Sequence, residues 1–205
     1  NASAYLYIGA GAMTDRPFDL NFRGETSFRA PIFFIYATAP TNRIGFLGGK
    51  HYVSSFQMRT RDSGGNDTYE RTRVTVAGEG TELKVADFTA NAGTSDHGYR
   101  GCVRDGGTLK AAGSISQRAG AGYPFVFDGG RFDTEKRYLI WHNACVFATN
   151  AFFRLHEFAL NQGRVSLTDS DVGSGYTTLG VRENTGTTEI AMDGGCAAFT
   201  HLRFG

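Results

Sequence analysis

Five Gly-Gly pairs punctuate the chain: Gly48-Gly49, Gly64-Gly65, Gly106-Gly107, Gly129-Gly130 and Gly194-Gly195. Asp105, Asp128 and Asp193 each precede one of them. Glycine reaches positive φ without steric cost, and the tight turns that fit strand twist need that conformation. Short runs of strand-forming residues flank the pairs. The pattern predicts hairpin after hairpin, an all-β chain. The pairs are irregularly spaced, so no solenoid or propeller period is read from them.

At 205 residues the chain is expected to form one domain, residues 1–205, with a core that needs no staples. Seventeen Phe and nine Tyr suit pleated, half-buried surfaces. Strand candidates include 5–8, 18–22, 32–36, 43–47, 52–61, 69–77, 83–88, 137–147, 164–168, 176–182, 187–192 and 197–204. So many short strands predict a single-domain antiparallel β-sandwich, jelly-roll-like, with a barrel as the alternative. Residues 151–162 break the pattern. Phe152, Leu155 and Ala159 have helical spacing, Asn150 is a fair N-cap and Gly163 a fair C-cap, so one short helix is an option there.

Composition argues against several functions. A net charge of +1 exerts no global pull on nucleic acid or acidic membrane. The longest apolar stretch, 31–39, is too short to span a bilayer, so no membrane insertion is expected. No signal peptide is visible, and a chain that begins at Asn1 is expected to be processed or excised from a longer one. Cys102, Cys145 and Cys196 are odd in number and far apart, with no C-x-x-C. Cys145 lies in an apolar run, where a buried free thiol is the ordinary expectation. Sparse free thiols fit assembly in a reducing compartment.

Catalytic strings fail on spacing. His156-Glu157 begins like a zinc-protease helix, but Leu160 stands where the second histidine is needed. Gly45 to Lys50 is too short for a phosphate loop, and His51 follows where a hydroxyl would bind magnesium. Ser95, Asp96 and His97 are adjacent, and neighbouring side chains on an extended segment point apart, which prevents a triad. No paired-carboxylate string appears. The balance is against an enzyme.

Four constellations remain. Arg59 and Arg61 share a face of one strand, Arg71 and Arg73 a face of the next, and residues 62–67 would join them as a hairpin. Four guanidinium groups on one face would attract an anionic glycan, a phosphate or an acidic partner; the alternative is a solvated face balanced by Asp62, Asp67 and Glu70. Asp96, His97, Tyr99 and Arg100 combine a carboxylate, an aromatic face and a cation in a loop, as sugar recognition requires; the alternative is an exposed turn. Asp169 and Asp171 alternate before Gly173 as Ca²⁺ ligands can, but the string lacks the later ligands of a calcium loop and Asp and Ser form turns unaided, so a turn is the expectation and no other cofactor is expected. Trp141 is either a sugar platform or a core residue.

These features fit a non-enzymatic virion or extracellular module. The sharpest form is a bacteriophage tail fibre or spike component that binds a surface glycan or packs against neighbouring subunits as a homo-oligomer. A secreted bacterial carbohydrate-binding or adhesion module is one alternative, and a glycan-cleaving enzyme another.

Overall fold

The computed structural model describes residues 5–8, 19–27, 29–35, 42–58, 60–61, 67–68, 72–91, 100–118, 125–141, 144–180 and 188–204. Its strands are, in chain order, β1 (Tyr5–Ile8), β2 (Asp19–Arg23), β3 (Arg29–Ile35), β4 (Asn42–Leu47), β5 (Lys50–Met58), β6 (Thr60–Arg61) and β7 (Asp67–Thr68). Then come β8 (Thr72–Ala77), β9 (Glu82–Asn91), β10 (Arg100–Arg104), β11 (Thr108–Ala111), β12 (Ile115–Arg118), β13 (Phe125–Asp128) and β14 (Arg131–Thr134). The last are β15 (Arg137–Trp141), β16 (Ala144–Thr149), β17 (Phe152–Leu160), β18 (Gly163–Thr168), β19 (Asp171–Leu179), β20 (Thr188–Asp193) and β21 (Cys196–Phe204).

Two large sheets hold nearly all of them. One contains eleven strands, with β1, β3, β5 and β9 at one end and β17, β19 and β21 at the other. The second runs β2-β4-β8-β10-β13-β16-β18-β20. The chain alternates between the sheets, and each strand pairs in parallel with its counterparts one lap earlier and one lap later. The result is a coil, a parallel β-solenoid whose two sheets face each other over a common core. Parallel neighbours need a long crossover; here the crossover passes through the opposite sheet.

This overturns the antiparallel, jelly-roll-like sandwich expected from the sequence, since every pairing within the two large sheets is parallel. Among the described residues the antiparallel contacts are the small β6–β7 pair and one isolated bridge, Arg104 to Gly129. Four of the five diglycine pairs are corners, not hairpin tips, and Gly64-Gly65 lies outside the described residues. Gly48-Gly49 separates β4 from β5, yet those strands lie in different sheets.

Register shows what the corners share. Lys50, Glu82, Thr108, Arg131, Phe152, Asp171 and Cys196 are equivalent, so successive coils hold 32, 26, 23, 21, 19 and 25 residues. Two residues before these positions stand Gly48, Gly80, Gly106, Gly129, Asn150, Asp169 and Gly194. All but Gly48 have positive φ, from 46° at Asp169 to 78° at Gly106. Only Gly, Asn and Asp visit that region routinely. The next residue is always small: Gly49, Thr81, Gly107, Gly130, Ala151, Ser170 or Gly195. Backbone bonds lace the corner column, from Gly106 N to Gly129 O (2.8 Å), Gly129 N to Thr149 O (2.8 Å) and Asn150 N to Thr168 O (3.0 Å).

The expected helix at 151–162 is also overturned, because β17 occupies that segment. Phe153, Leu155 and Phe158 are buried, whereas Phe152, Arg154 and His156 are exposed. Alternation slips between Leu155 and Phe158, where His156 and Glu157 both leave the core side. That slip imitates helical spacing. The same bend divides β11 from β12 and β14 from β15 in the neighbouring coils.

The core consists of inward columns. His51, Leu83, Leu109, Phe132, Phe153 and Val172 form one of them in register. Phe127 from the other sheet reaches Phe153 at 4.7 Å and Phe132 at 5.4 Å between ring centroids, and edge-on aromatic contacts add to area burial. His51 is 2% exposed and packs against Phe46. Its Nε2 lies 2.6 Å from Gly48 O, while Nδ1 has no partner among the described residues. Gly101 faces Phe125, whose ring fills the space a side chain would need.

If the corner column depends on left-handed residues, Gly129→Val should lower unfolding free energy by about 1–2 kcal/mol. Asp169→Gly should leave it unchanged or slightly raised. Urea denaturation midpoints of the two variants check this, and equal losses would contradict it.

Candidate functional site

Outward residues also stack in columns, about 4.8 Å apart from coil to coil. Five of the arginines there are paired with acids. On the eleven-stranded sheet Asp133 lies between Arg131 (3.0 Å) and Arg154 (3.2 Å), and Arg137 pairs with Glu157 at 2.6 Å. On the eight-stranded sheet Arg164 pairs with Glu189 at 3.5 Å and Arg104 with Asp105 at 3.5 Å.

One column differs. Arg43, Arg73 and Arg100 occupy the same register position on β4, β8 and β10, three consecutive coils. Arg43 and Arg73 are exposed. Neither takes part in any ion pair among the described residues. Asp19 stands one coil earlier in the same register, but its carboxylate accepts a hydrogen bond from Asn21 Nδ2 at 2.6 Å. Neighbouring like charges about 5 Å apart in water repel by on the order of 1 kcal/mol, and in-register like pairs weaken a sheet. An anion laid along the column would remove that repulsion and meet several fork-shaped donors.

The structure thus redistributes the residues expected from sequence. Arg73 and Arg100, assigned there to two separate constellations, are register neighbours. Arg43 joins them, and the sequence analysis missed it. Its only signal was position: Arg43 is the second residue of β4 as Arg73 is of β8, an equivalence visible only once coils are aligned. Arg61 lies on β6 opposite Asp67 of β7, in the hairpin expected over 62–67. That hairpin does not place Arg61 beside Arg73, which belongs to the eight-stranded sheet. Arg59, Arg71, Asp96, His97 and Tyr99 lie outside the described residues.

Asp169 holds a left-handed corner position (φ 46°), and Asp171 is exposed at the start of β19. The corner accounts for the conformation of Asp169. Among the described residues no group of three His, Cys, Asp or Glu side chains could hold a metal ion. Trp141 ends β15, and its side chain is outside the described set. No helix among the described residues is long and apolar enough to cross a membrane.

All three cysteines are free thiols: Cys145 buried, Cys102 half-buried and Cys196 exposed. Burial pushes the Cys145 and Cys102 thiols above their ordinary range, with Arg164 and Arg104 respectively opposing the shift. No protein family, curated protein or solved structure was found to match the chain.

Two outcomes follow from this geometry. Arg73→Gln should raise the melting temperature at low ionic strength, with the gain shrinking as salt screens the column; a salt-independent gain would point to some cause other than repulsion. Iodoacetamide at neutral pH should alkylate Cys196 first, because only the thiolate reacts, Cys145 is buried, Cys102 is half-buried and burial raises the pKa of both. Peptide mapping over time reads the order, and early labelling of Cys145 would contradict its burial.

Proposed function

We propose that the chain is a non-enzymatic recognition element on the outside of a virion or a cell, in its sharpest form a component of a bacteriophage tail fibre or spike. In this reading it binds an anionic surface glycan along Arg43, Arg73 and Arg100. The observation that carries the reading is the cationic column itself. Three arginines recur once per coil along the solenoid axis, and no acid among the described residues pairs with Arg43 or Arg73. A polymer of acidic sugars repeats its charge along a line, as the column does, so several carboxylates or sulfates can be met by one rigid surface. A sheet of in-register parallel strands holds these guanidinium groups without a mobile loop, which lowers the ordering cost of binding.

The free thiols favour a particle assembled in a reducing compartment over a secreted adhesion module. Either would use the same surface chemistry.

The test is binding of immobilised polyuronic acid, with an uncharged polysaccharide as control. The wild-type chain should bind the acidic polymer and lose affinity as salt rises. Arg43→Gln with Arg73→Gln should weaken it by about tenfold, as expected for losing two charge-assisted contacts at an exposed site, and flatten the salt dependence. Equal binding of both polymers, or an unchanged double variant, sinks the proposal. Shortened polysaccharide chains after incubation would replace it with the glycan-cleaving alternative.

A further inference from the structure

The coil of β20 and β21 presents a strand edge that no described residue covers. Its residues continue the inward columns of the core. Ile190 follows Val146 and Val165, and Met192 follows Ala148 and Leu167. On β21, Leu202 follows Phe158 and Thr177, and Phe204 follows Leu160 and Leu179. Phe158, Thr177 and Leu160 are at most 4% exposed, whereas Met192, Leu202 and Phe204 are 40%, 46% and 73% exposed. No described residue covers these side chains as the following coil covers those before them. A nine-residue strand with a free edge and no proline is a template for pairing.

The cross-section that would fit it is another parallel coil, and the first coil of the chain supplies one. β1 enters the register of the eleven-stranded sheet through Tyr5 at Ile32 and Ile8 at Ile35. Followed through the sheet, Leu6 falls in the column of Leu202 and Ile8 in that of Phe204. In the other sheet Leu20 falls in the column of Ile190 and Phe22 in that of Met192. β1 on β21 and β2 on β20 would therefore put Leu6, Ile8, Leu20 and Phe22 next at the register positions of Leu202, Phe204, Ile190 and Met192. Asp193 would meet Arg23 of the next copy, an attractive pair, and Glu189 would meet Asp19, a repulsive one.

The competing arrangement joins two copies by their β20–β21 ends, with the strands antiparallel. In the register that sets Ile190 opposite Met192, which keeps both on the core side, each Glu189 opposes Asp193 of the other copy. That creates two repulsive pairs and no attractive one on this sheet.

We infer that the chain associates head to tail with a second copy of itself, β21 and β20 of one molecule pairing in parallel with β1 and β2 of the next. Such a contact is heterologous and leaves a free end on each side, so it builds rows rather than closed dimers.

Sedimentation velocity of the full chain over a concentration series tests this. Mass should rise beyond the dimer with concentration. Phe204→Lys and Leu6→Asp should each be monomeric alone, and their mixture should stop at the dimer, because one intact head meets one intact tail. Recovery of dimer on mixing also shows that both variants are folded. As a second route, Asp193→Arg and Arg23→Asp should each weaken association several-fold, and the variant carrying both changes should restore it. A wild-type chain that stays monomeric overturns the inference. So does a Leu6→Asp chain that still dimerises, which would indicate the β20–β21 ends meeting each other. Failure of the charge exchange to restore association, with the folded state retained by circular dichroism, also overturns it.

Discussion

The structure depends on in-register stacking of one coil upon the next. Each strand satisfies its backbone groups in the coils before and after it, so the spacing and order of every column follow from one constraint. That constraint needs a corner that repeats in shape while its sequence varies. A left-handed residue followed by a small one meets the need, and glycine, asparagine and aspartate are the residues that accept it cheaply. The opposite side of the coil has no such requirement. Insertions gather there, and coil length ranges from 19 to 32 residues without disturbing the sheets.

Stacking gives the outward surface its character. Any residue type that recurs at one register position becomes a row of identical groups at strand spacing. Where an acid falls between bases, as Asp133 does between Lys110 and Arg154, the row supplies its own counter-charge. Where none does, as at Arg43 and Arg73, like charges stand in register and no acid among the described residues pairs with either. The same logic explains the core. Inward rows are mostly apolar, and Leu202 and Phe204 are exposed where no described coil lies over them.

The sequence made strand content legible, because Phe, Tyr and β-branched residues alternate and because glycine marks sharp turns. It did not reveal pairing. A corner such as Asp128-Gly129-Gly130 has the same local chemistry whether the next strand folds back beside the last or crosses to the opposite layer. The helix expected at 151–162 failed for a related reason: a two-residue slip in strand alternation at His156 and Glu157 yields the spacing of a helix face. The candidate site was half legible. Arg73 and Arg100 drew attention as cations in polar surroundings, but they are 27 positions apart in the chain, and no local rule joins them to each other or to Arg43.

What the sequence determined by itself was local: where the chain turns, which residues tolerate a left-handed corner, and which side chains prefer the core. Those preferences act over a few residues, through sterics and hydration. Only the tertiary structure decided that the strands run parallel, that the corners align despite unequal coil lengths, and that three distant arginines share one row. These are properties of registration between coils, set by the summed hydrogen bonding and packing of whole strands. They are not encoded in any single segment.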